Sequence, residues 1–472
     1  MPPQPTSLAH NKHAVVVGAG PAGVLTATLL AQQGFTVDVF ERSAPQLDVN
    51  GKAQASIGSR SYNVVLTERA AVALDQAAAD LSGYDAPVLS VAMRHKLKGA
   101  ANEGRAAQPG GRNRIVNRGL LAGALVQQCQ QRHGDRVTFH FHSALHSLDA
   151  QKGRATFSSA TSTPDGKANG STEPRQVDFD LLVGADGAGS AVRQALVQQD
   201  SDLKARQTQD VMEFKTFILG PAIDFLPAGA NPVGTFQTWN NAKLRASILG
   251  SSTGDGLLRM VFILPEGVHD TLRTAAEYEA YILSAFPSIP QDAAKRAAAQ
   301  LPDSPVSNGG LLTECTKLNS GRVVLVGDAA HSVFPSLGQG ANAALEGAAT
   351  FAAVLEELGP ANMEAVGAEY TRRWLPNAQA VVELTAEAFG DNRRAVTFNL
   401  KLAQIIAQML LNKVLPFLVP QPSFMQINAT TTPYAVVLKR SKQEMAVFKA
   451  VLGAAAVALL AFVVAVVRRL LL

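Results

Sequence analysis

The sequence predicts an α/β fold built around a Rossmann-like parallel sheet. Three segments carry this prediction, namely 13–42, 180–193 and 321–342. In each of them an apolar strand runs into a turn that is rich in Gly, and a helix follows the turn. Repeated units of this kind form parallel sheets with helices packed against their faces. We therefore expect the three segments to lie side by side in one domain.

The composition allows this domain and further layers of structure. The chain has 472 residues, of which 47% are hydrophobic, and this apolar content excludes a disordered protein. Lys and Arg number 42 and Asp and Glu number 38, so the net charge of +4 offers no electrostatic footprint for nucleic acid. The two cysteines, Cys129 and Cys315, are too few for a disulfide framework and indicate a reducing compartment.

An apolar segment at 450–467 lies close to the C-terminus and contains no charged or polar side chain. As a helix it would be about 27 Å long, which is enough to cross the hydrocarbon core of a bilayer. Lys449 precedes it, and Arg468 and Arg469 follow it. We therefore predict a C-terminal transmembrane helix that anchors a cytosolic domain. The mitochondrial outer membrane is the preferred location, and the endoplasmic reticulum is the second choice. A helix that enters only one leaflet is the alternative.

The turn after the first strand has the pattern G-x-G-x-x-G, formed by Gly18, Gly20 and Gly23. The first Gly permits a tight turn, the second lets the backbone approach a pyrophosphate, and the third lets helix and strand pack closely. The pyrophosphate then lies at a helix N-terminus, where free N–H groups and the helix dipole favour an anion. Glu41 ends the second strand and suits the hydroxyls of a ribose. This segment predicts a dinucleotide site.

Two later segments narrow the choice of dinucleotide. Asp186 and Gly187 begin the pattern D-G-x-x-S-x-x-R after one strand, and Asp328 follows another. The Asp328 carboxylate can accept a hydrogen bond from a ribityl hydroxyl. The turn at 338–342 presents backbone N–H groups at a helix N-terminus, which would stabilise the negative N1–O2 edge of a reduced flavin. Together the three segments predict FAD.

These motifs resemble those of the class A FAD-dependent aromatic hydroxylases, which are single-component flavin monooxygenases, and the resemblance covers nearly the whole chain. The segment 118–125 matches the Arg-x-x-Leu-x-x-x-Leu helix of this group, and 60–69 and 328–346 are similar to the kynurenine 3-monooxygenase family within it. The resemblance implies a Rossmann-like FAD-binding domain interleaved with an antiparallel-sheet substrate domain, and a helical C-terminal cap. The implied limits are 10–200 and 305–360 for the FAD-binding domain with part of the substrate sheet near 85–110, 201–304 for the substrate domain, 361–445 for the helical region and 450–467 for the tail anchor.

The resemblance also implies site residues. Pro335 would shape the oxygen pocket. Asn342 and Glu346 lie one turn apart on a helix and would orient the flavin ring or seal the site, although a structural role for Glu346 is equally open. The residues expected to bind FAD come from the three motifs and from segments near them: Gly18, Gly20, Ala22, Gly23, Glu41, Arg42, Val65, Arg118, Leu145, Asp186, Gly187, Asp328, Gly338, Gln339, Gly340, Ala341 and Asn342.

The substrate contacts of the family are changed in this sequence. The family holds the carboxylate of an amino-acid substrate with an Arg, an Asn and two Tyr. Three of these positions hold Ala92, Ala106 and Ala388, and the second Tyr falls near Pro422 or Ser423. Arg94 shares one face of a strand with Ala92, and we predict that it replaces the missing Arg as the substrate anchor. A solvated surface position for Arg94 is the alternative.

The implied reaction uses NADPH to reduce FAD and O2 to form a flavin C4a-hydroperoxide, which transfers one oxygen atom to an aromatic substrate. No metal is expected, because the sequence lacks a cluster of metal-ligating residues with suitable spacing. Three other functions stay open. They are an aromatic hydroxylase for another acid anchored by Arg94, a membrane-bound FAD enzyme acting on a lipid or terpenoid as an epoxidase or reductase, and a non-catalytic FAD-binding membrane protein.

Overall fold

The computed structural model describes residues 12–45, 62–88, 90–95, 112–159, 174–226, 231–241, 243–387, 395–417, 419 and 421–471. Within these residues the strands are β1 (His13–Val17), β2 (Thr36–Phe40), β3 (Asn63–Leu66), β4 (Asp85–Pro87), β5 (Ser90–His95), β6 (Arg114–Asn117), β7 (Val137–His140), β8 (Ser143–Asp149), β9 (Arg154–Ser159), β10 (Arg175–Asp178), β11 (Leu181–Gly184), β12 (Ala205–Gln209), β13 (Met212–Pro221), β14 (Thr235–Asn241), β15 (Ala246–Ser252), β16 (Leu257–Pro265), β17 (Ser307–Asn308), β18 (Leu311–Cys315), β19 (Asn319–Ser320) and β20 (Val323–Leu325). The helices are α1 (Pro21–Gln32), α2 (Glu68–Gln76), α3 (Arg118–His133), α4 (Ala191–Gln199), α5 (Val268–Thr271), α6 (Ala275–Ala285), α7 (Gln291–Ala298), α8 (Asp328–His331), α9 (Gly340–Leu358), α10 (Met363–Glu387), α11 (Ala395–Val414), α12 (Ser423–Ala429) and α13 (Tyr434–Leu471). Short 3₁₀ helices cover Ala222–Phe225 and Pro335–Leu337.

The central sheet has the strand order β19–β20–β11–β1–β2–β7, and its strands are parallel except for β19. Val17 at the end of β1 pairs with Phe40 of β2 and with Gly184 of β11, and Gly184 pairs with Leu325 of β20. The carboxyl ends of four strands therefore meet at one edge of the sheet, which is where ligands of open α/β sheets bind. The three predicted segments do lie side by side, so the α/β part of the predicted fold is confirmed.

Helices bury the central sheet. Helix α1 packs against α3 and α9, and α9 in turn packs against α2 and α10. Val15 and Val16 of β1 and Leu182 of β11 are fully buried, as expected for a parallel sheet that is covered on both faces. The same core continues through α10 to Tyr434 at the start of α13. The final helix is therefore packed onto the domain that carries the Gly-rich turn.

A second sheet has the order β17–β13–β16–β15–β14–β5, in which only the β14–β5 pair is parallel. Alternate residues of its strands, among them Trp239, Ile248 and Phe262, are buried in a second core with residues of α6 and α7. The residues between them, such as Leu249 and Val261, are only half-buried. Because side chains alternate across a strand, the sheet has one closed face and one partly open face.

The partly open face of the second sheet lies against β3. The ring of Tyr62, just before β3, packs edge-on against Phe214 of β13 with 5.9 Å between the ring centroids. Asn63 Nδ2 donates a hydrogen bond to the carbonyl oxygen of Ser251 in β15 at 3.0 Å. These contacts place the open face of the second sheet beside the domain that carries the three motifs. The predicted limits of the domains stay a prediction.

The apolar segment at 450–467 is the second half of α13, and this helix runs without interruption from Tyr434 to Leu471. Tyr434 and Val437 are buried in the main core, so the helix begins on the folded domain. Among the helices of the described residues, none combines the length and the apolar character that a membrane crossing requires. The prediction of a transmembrane tail anchor is therefore wrong, because it treated the apolar segment as a helix of its own.

Candidate active site

The Gly-rich turn joins β1 to α1 at the edge of the central sheet. Gly18 has a φ of +105°, and Gly23 lies in the first turn of α1. A Cβ on Gly18 would lie 2.4 Å from the carbonyl oxygen of Ala185, and a Cβ on Gly23 would lie 2.0 Å from the carbonyl oxygen of Gly18. Both positions therefore require Gly for packing. A Cβ on Gly20 would meet no atom of the described residues within 4 Å, so the turn is open on that side.

Glu41 lies directly beside this turn. Its Oε2 accepts a hydrogen bond from the backbone N–H of Ala19 at 2.8 Å, and its Oε1 accepts one from Ser43 at 3.0 Å. These two bonds occupy only part of the acceptor capacity of a carboxylate, so a ribose hydroxyl can still donate to it. Arg42 follows and is exposed. Leu145 lies two residues along β8 from Ser143, whose N–H donates to the carbonyl oxygen of Glu41 at 2.9 Å.

Asp186 caps the N-terminus of α4. Its carboxylate accepts hydrogen bonds from the Ser190 hydroxyl, from the N–H of Ala191 at 2.7 Å and from the N–H of Val192 at 3.1 Å. Asp186 and Ser190 thus satisfy the free N–H groups at the start of the helix, since the Ser190 hydroxyl oxygen also accepts from the N–H of Arg193 at 2.9 Å. Gly187 follows with a φ of +81°, a conformation that favours Gly.

Arg193 joins the second motif to the third. It is 2% exposed, its Nη1 donates to the carbonyl oxygen of Ala329 at 2.8 Å, and its Nη2 donates to that of Ala188 at 2.6 Å. One buried guanidinium thus fixes the distance between the loop after β11 and the turn after β20. Sequence reasoning assigned no role to Arg193, although its position as the last residue of D-G-x-x-S-x-x-R is the signal that could have identified it.

Asp328 follows β20 at the same edge of the sheet, and Ala22 packs nearby, since a Cβ on Gly327 would lie 3.0 Å from the Ala22 Cβ. Burial raises the pKa of the Asp328 carboxyl, and the guanidinium of Arg118 lowers it in part. Among the described residues, no hydrogen bond reaches this carboxylate. A partly desolvated acid without a partner is the arrangement expected where a ligand supplies the hydrogen bond.

Replacement of Asp328 by Asn should change the stability of the apoprotein and the affinity for FAD in opposite directions. Because the carboxyl pKa is raised in the folded protein, the apoprotein loses stability as pH rises through that pKa. D328N should therefore raise the melting temperature of the apoprotein at neutral pH. It should also weaken FAD binding about tenfold by removing a charge-assisted hydrogen bond. Thermal unfolding and FAD titration of both proteins test this, and unchanged FAD affinity would contradict the assignment.

The side-chain amide of Asn342, in the first turn of α9, has all of its hydrogen-bonding capacity occupied. Its Oδ1 accepts from the N–H and the hydroxyl of Thr67, at 2.7 and 3.1 Å, and its Nδ2 donates to the carbonyl oxygens of Val65 and Gly338, both at 2.9 Å. The side chain therefore fastens β3 to the turn before α9. A role of Asn342 in orienting the flavin ring stays a prediction, and the structure leaves only its backbone for direct contact.

The turn before α9 is also held by the side chain of Gln339, which is fully buried. Its Nε2 donates to Asn428 Oδ1 at 2.8 Å, and its Oε1 accepts from the Tyr434 hydroxyl at 2.7 Å. Gly338, before it, has a φ of +64°, and Gly340, after it, begins α9 with Ala341. Sequence reasoning did not identify Tyr434, because nothing near it in the chain indicates a contact 95 residues away.

Glu346, predicted at the site, forms an ion pair with Arg69 of α2. The Arg69 Nη1 lies 3.0 and 3.2 Å from the two carboxylate oxygens, and the Arg69 side chain is fully buried. Burial raises the pKa of the Glu346 carboxyl, and Arg69 offsets part of this effect. Arg69 also lies over the Tyr434 ring at 4.1 Å and donates to the carbonyl oxygen of Thr432. These contacts give Glu346 the structural role that the sequence left open.

His331 is the last residue of the short helix α8 that begins at Asp328 in the third motif. Its Nε2 accepts a hydrogen bond from Trp374 Nε1 at 2.8 Å, and burial lowers the pKa of its imidazole to about 4. The ring is therefore neutral at physiological pH, with the proton on Nδ1. A Cβ on Gly347 would lie 2.7 Å from Trp374 Nε1, so Gly347 makes room for the indole. Trp374 thereby orients this histidine.

Of the residues predicted to lie near the substrate, the structure describes Pro335 in full and only the backbone of Arg94. Pro335 begins the 3₁₀ turn before Gly338 and is exposed. Arg94 lies on β5, where its backbone pairs with that of Trp239, and its side chain lies outside the described residues, as does that of Ala92. The positions of Ala106 and Ala388 lie outside them as well. Substrate anchoring by Arg94 therefore stays a prediction.

The edge of the central sheet fits FAD. The backbone around Gly20 is open where a pyrophosphate would bind, Glu41 retains acceptor capacity for a ribose, and Asp328 has no partner among the described residues. Helix α9 begins directly after Gln339, and its N-terminus provides free N–H groups. An open anion cradle, two carboxylates for hydroxyls and a second helix N-terminus are the donor and acceptor set that this dinucleotide requires.

Comparison with known sequences agrees with this geometry. The chain matches the model of the FAD binding domain family over residues 12–385. It is 31% identical to a kynurenine 3-monooxygenase of Salinispora tropica over 449 residues, which cover 92% of this chain and 92% of that protein. A kynurenine 3-monooxygenase of Stenotrophomonas maltophilia is 28% identical, with 92% of this chain and 91% of that protein covered.

Solved structures share the fold. The tetrameric form of 2-methyl-3-hydroxypyridine-5-carboxylic acid oxygenase superposes with a TM-score of 0.62 at 23% identity, covering 81% of this chain and 92% of that one. The tetracycline destructase Tet(51) gives a TM-score of 0.56 at 20% identity, covering 87% and 99%. PqsL, a probable FAD-dependent monooxygenase from Pseudomonas aeruginosa, gives 0.59 at 20% identity, covering 83% and 100%. At these identities the likeness concerns the fold alone.

Proposed function

The chain belongs to the FAD binding domain family and is an FAD-dependent monooxygenase, and from this premise we propose that it uses NADPH and O2 to hydroxylate kynurenine or a close aromatic relative. The single observation that carries the proposal is the 31% identity to a kynurenine 3-monooxygenase over 92% of both chains. The resemblance to flavin monooxygenases predicted from the motifs is confirmed. The choice of NADPH and of the substrate is proposed from the names of the relatives.

Bound FAD would supply the redox chemistry with O2, and the chain's own residues would position it. Asp328 would accept a hydrogen bond from a ribityl hydroxyl, and Glu41 would accept from a ribose hydroxyl. The N–H groups at the start of α9, held in place through Gln339 and Asn342, would stabilise negative charge on the reduced flavin.

The partly open face of the second sheet supports an aromatic substrate. Its half-buried residues include Leu249, Val261 and Ile263, and Tyr62 packs against Phe214 on the same face. Such a surface would exclude water around an aromatic ring. Arg94, on the outer strand of the same sheet, is proposed as the anchor for the carboxylate of the substrate.

Oxidation of NADPH by the FAD-loaded protein tests this function. We expect L-kynurenine to stimulate the oxidation strongly and to give 3-hydroxykynurenine in proportion to the NADPH consumed. L-phenylalanine, which has the same α-amino-acid group and lacks both the ring amino group and the ketone of kynurenine, serves as the control. NADH replaces NADPH in a parallel assay to test the reductant.

The outcomes separate the parts of the proposal. Stimulation without hydroxylated product would mean that kynurenine binds and that its ring lies out of reach. A protein that binds FAD and is not stimulated by kynurenine would refute the substrate while leaving the flavoprotein assignment intact. A full response with NADH would refute the choice of NADPH.

A further inference from the structure

The segment 423–437, which comprises α12 and the first turn of α13 and is called the C-terminal strap below, contacts the turn Gly338–Gly340 at the cofactor edge. We propose that Tyr434 of this strap is a positioning residue for the flavin: through Gln339 it fixes the conformation of the turn whose N–H groups face the cofactor. The inference rests on FAD binding at this turn and is independent of the identity of the substrate.

The sequence of the turn explains why it needs an external support. Gln339 is flanked by Gly338 and Gly340, and Gly restricts backbone conformation less than any other residue. Gly338 has a φ of +64°, and Gln339 lies at the N-cap of α9 without a side-chain cap hydrogen bond. The turn therefore gains little rigidity from its own backbone. Asn342 holds the Gly338 end of the turn, and the only long side chain in the turn is that of Gln339, so the partners of Gln339 set the position of the N–H groups beside it.

Both ends of the Gln339 amide are held by the strap. The Tyr434 hydroxyl donates to Oε1 at 2.7 Å, and Asn428 Oδ1 accepts from Nε2 at 2.8 Å. Gln339 and Tyr434 are fully buried, so water cannot replace a lost partner. Removal of the Tyr434 hydroxyl would leave Oε1 unsatisfied in the interior, and the amide would have to rotate or move. That movement would displace the backbone of the turn.

The ring of Tyr434 is itself held in a defined orientation. The guanidinium of Arg69 lies over the ring at 4.1 Å, and Arg69 is fixed by Glu346 of α9. Arg69 Nε also donates to the carbonyl oxygen of Ile427 in α12 at 3.4 Å. The strap, the turn and α9 thus form one connected network. Because a Phe ring retains the contact with Arg69, the substitution Y434F isolates the hydroxyl.

The test compares Y434F with Y370F. Tyr370 is equally buried, and its hydroxyl has no hydrogen-bond partner in the part of the chain that the structure describes. We expect Y434F to raise the Kd of FAD about tenfold, and to shift the reduction potential of the bound flavin to a more negative value, while Y370F changes neither. The two readouts are titration of the apoprotein with FAD and spectroelectrochemistry of the loaded protein. Equal FAD affinity and potential in Y434F and wild type would overturn the proposal.

A double-mutant cycle with Q339M shows whether Tyr434 acts through Gln339. Methionine keeps the volume of glutamine and makes neither hydrogen bond, so Q339M alone should weaken FAD binding at least as much as Y434F. Adding Y434F to Q339M should cause no further loss. Additive losses would refute the mechanism, and Q339M with normal FAD affinity would refute it even if Y434F did not fold. Failure of the wild-type protein to bind FAD would instead refute the cofactor assignment.

Discussion

Replacement of Glu346 by Gln is expected to lower the free energy of unfolding by about 3 kcal/mol, because it leaves the charge of Arg69 buried without a counter-ion. The Arg69 side chain is fully buried, and Glu346 is the carboxylate that pairs with it, at 3.0 Å. The carbonyl oxygens of Ile427 and Thr432 and the Tyr434 ring remain as partners, and they solvate a cation without neutralising it. Urea unfolding of the apoprotein measures the loss.

The pair Glu357–Arg373 is the matched control. Glu357 lies on the same helix, pairs with Arg373 at 2.7 Å, and has about half of its side chain exposed, at 53%. Exposed pairs contribute little, so E357Q should leave unfolding unchanged within error. Equal effects of E346Q and E357Q would show that burial does not determine how much the Arg69–Glu346 pair contributes to the free energy of unfolding.

The substitution R69M leaves the opposite charge behind and has a different pH dependence. The pKa of Glu346 is already raised by burial, and loss of Arg69 removes the effect that offsets it. A carboxyl with a raised folded pKa favours the folded state when it is protonated. The deficit of R69M relative to wild type should therefore shrink as pH falls from about 8 to about 5, whereas the deficit of E346Q, which has no carboxyl to protonate at this position, should not shrink. Unfolding at both pH values distinguishes the two variants.

The parts of the site that could be predicted from sequence are those whose signals are local. Each of the three motifs places strand, turn and helix within a short stretch, and chain order then brings Gly18, Asp186 and Asp328 to the ends of adjacent parallel strands. The structure places all three at one edge of the central sheet. The family and the enzyme class followed from these motifs and are confirmed by the comparisons.

The parts that could not be predicted depend on contacts between distant segments. Arg69 and Glu346 are 277 residues apart, and Gln339 and Tyr434 are 95 apart, so neither pair leaves a spacing signal in the chain. The wrong prediction of a transmembrane helix at 450–467 also arose because a contact between distant segments is not visible in the sequence. Its composition matched a membrane helix, and only the packing of Tyr434 in the core shows that α13 begins on the folded domain.

Two Gly residues of the first turn should respond differently to replacement by Ala, Gly23 through the stability of the apoprotein and Gly20 through the binding of FAD. A Cβ on Gly23 would lie 2.0 Å from the backbone carbonyl oxygen of Gly18, which cannot move without distorting the turn. G23A should therefore destabilise the apoprotein by about 3 kcal/mol, as expected for overpacking against backbone. Urea unfolding of the apoprotein measures this loss directly.

The substitution G20A is predicted to act on the cofactor alone. Gly20 has a φ of −68° and a ψ of 172°, which any residue adopts, and a Cβ there meets no described atom within 4 Å. The apoprotein should therefore unfold as the wild type does. The same space is where a pyrophosphate approaches the backbone, so the added methyl group should raise the Kd of FAD at least about tenfold. If G20A bound FAD normally, the pyrophosphate would have to lie elsewhere, and the Gly-rich turn would serve packing alone.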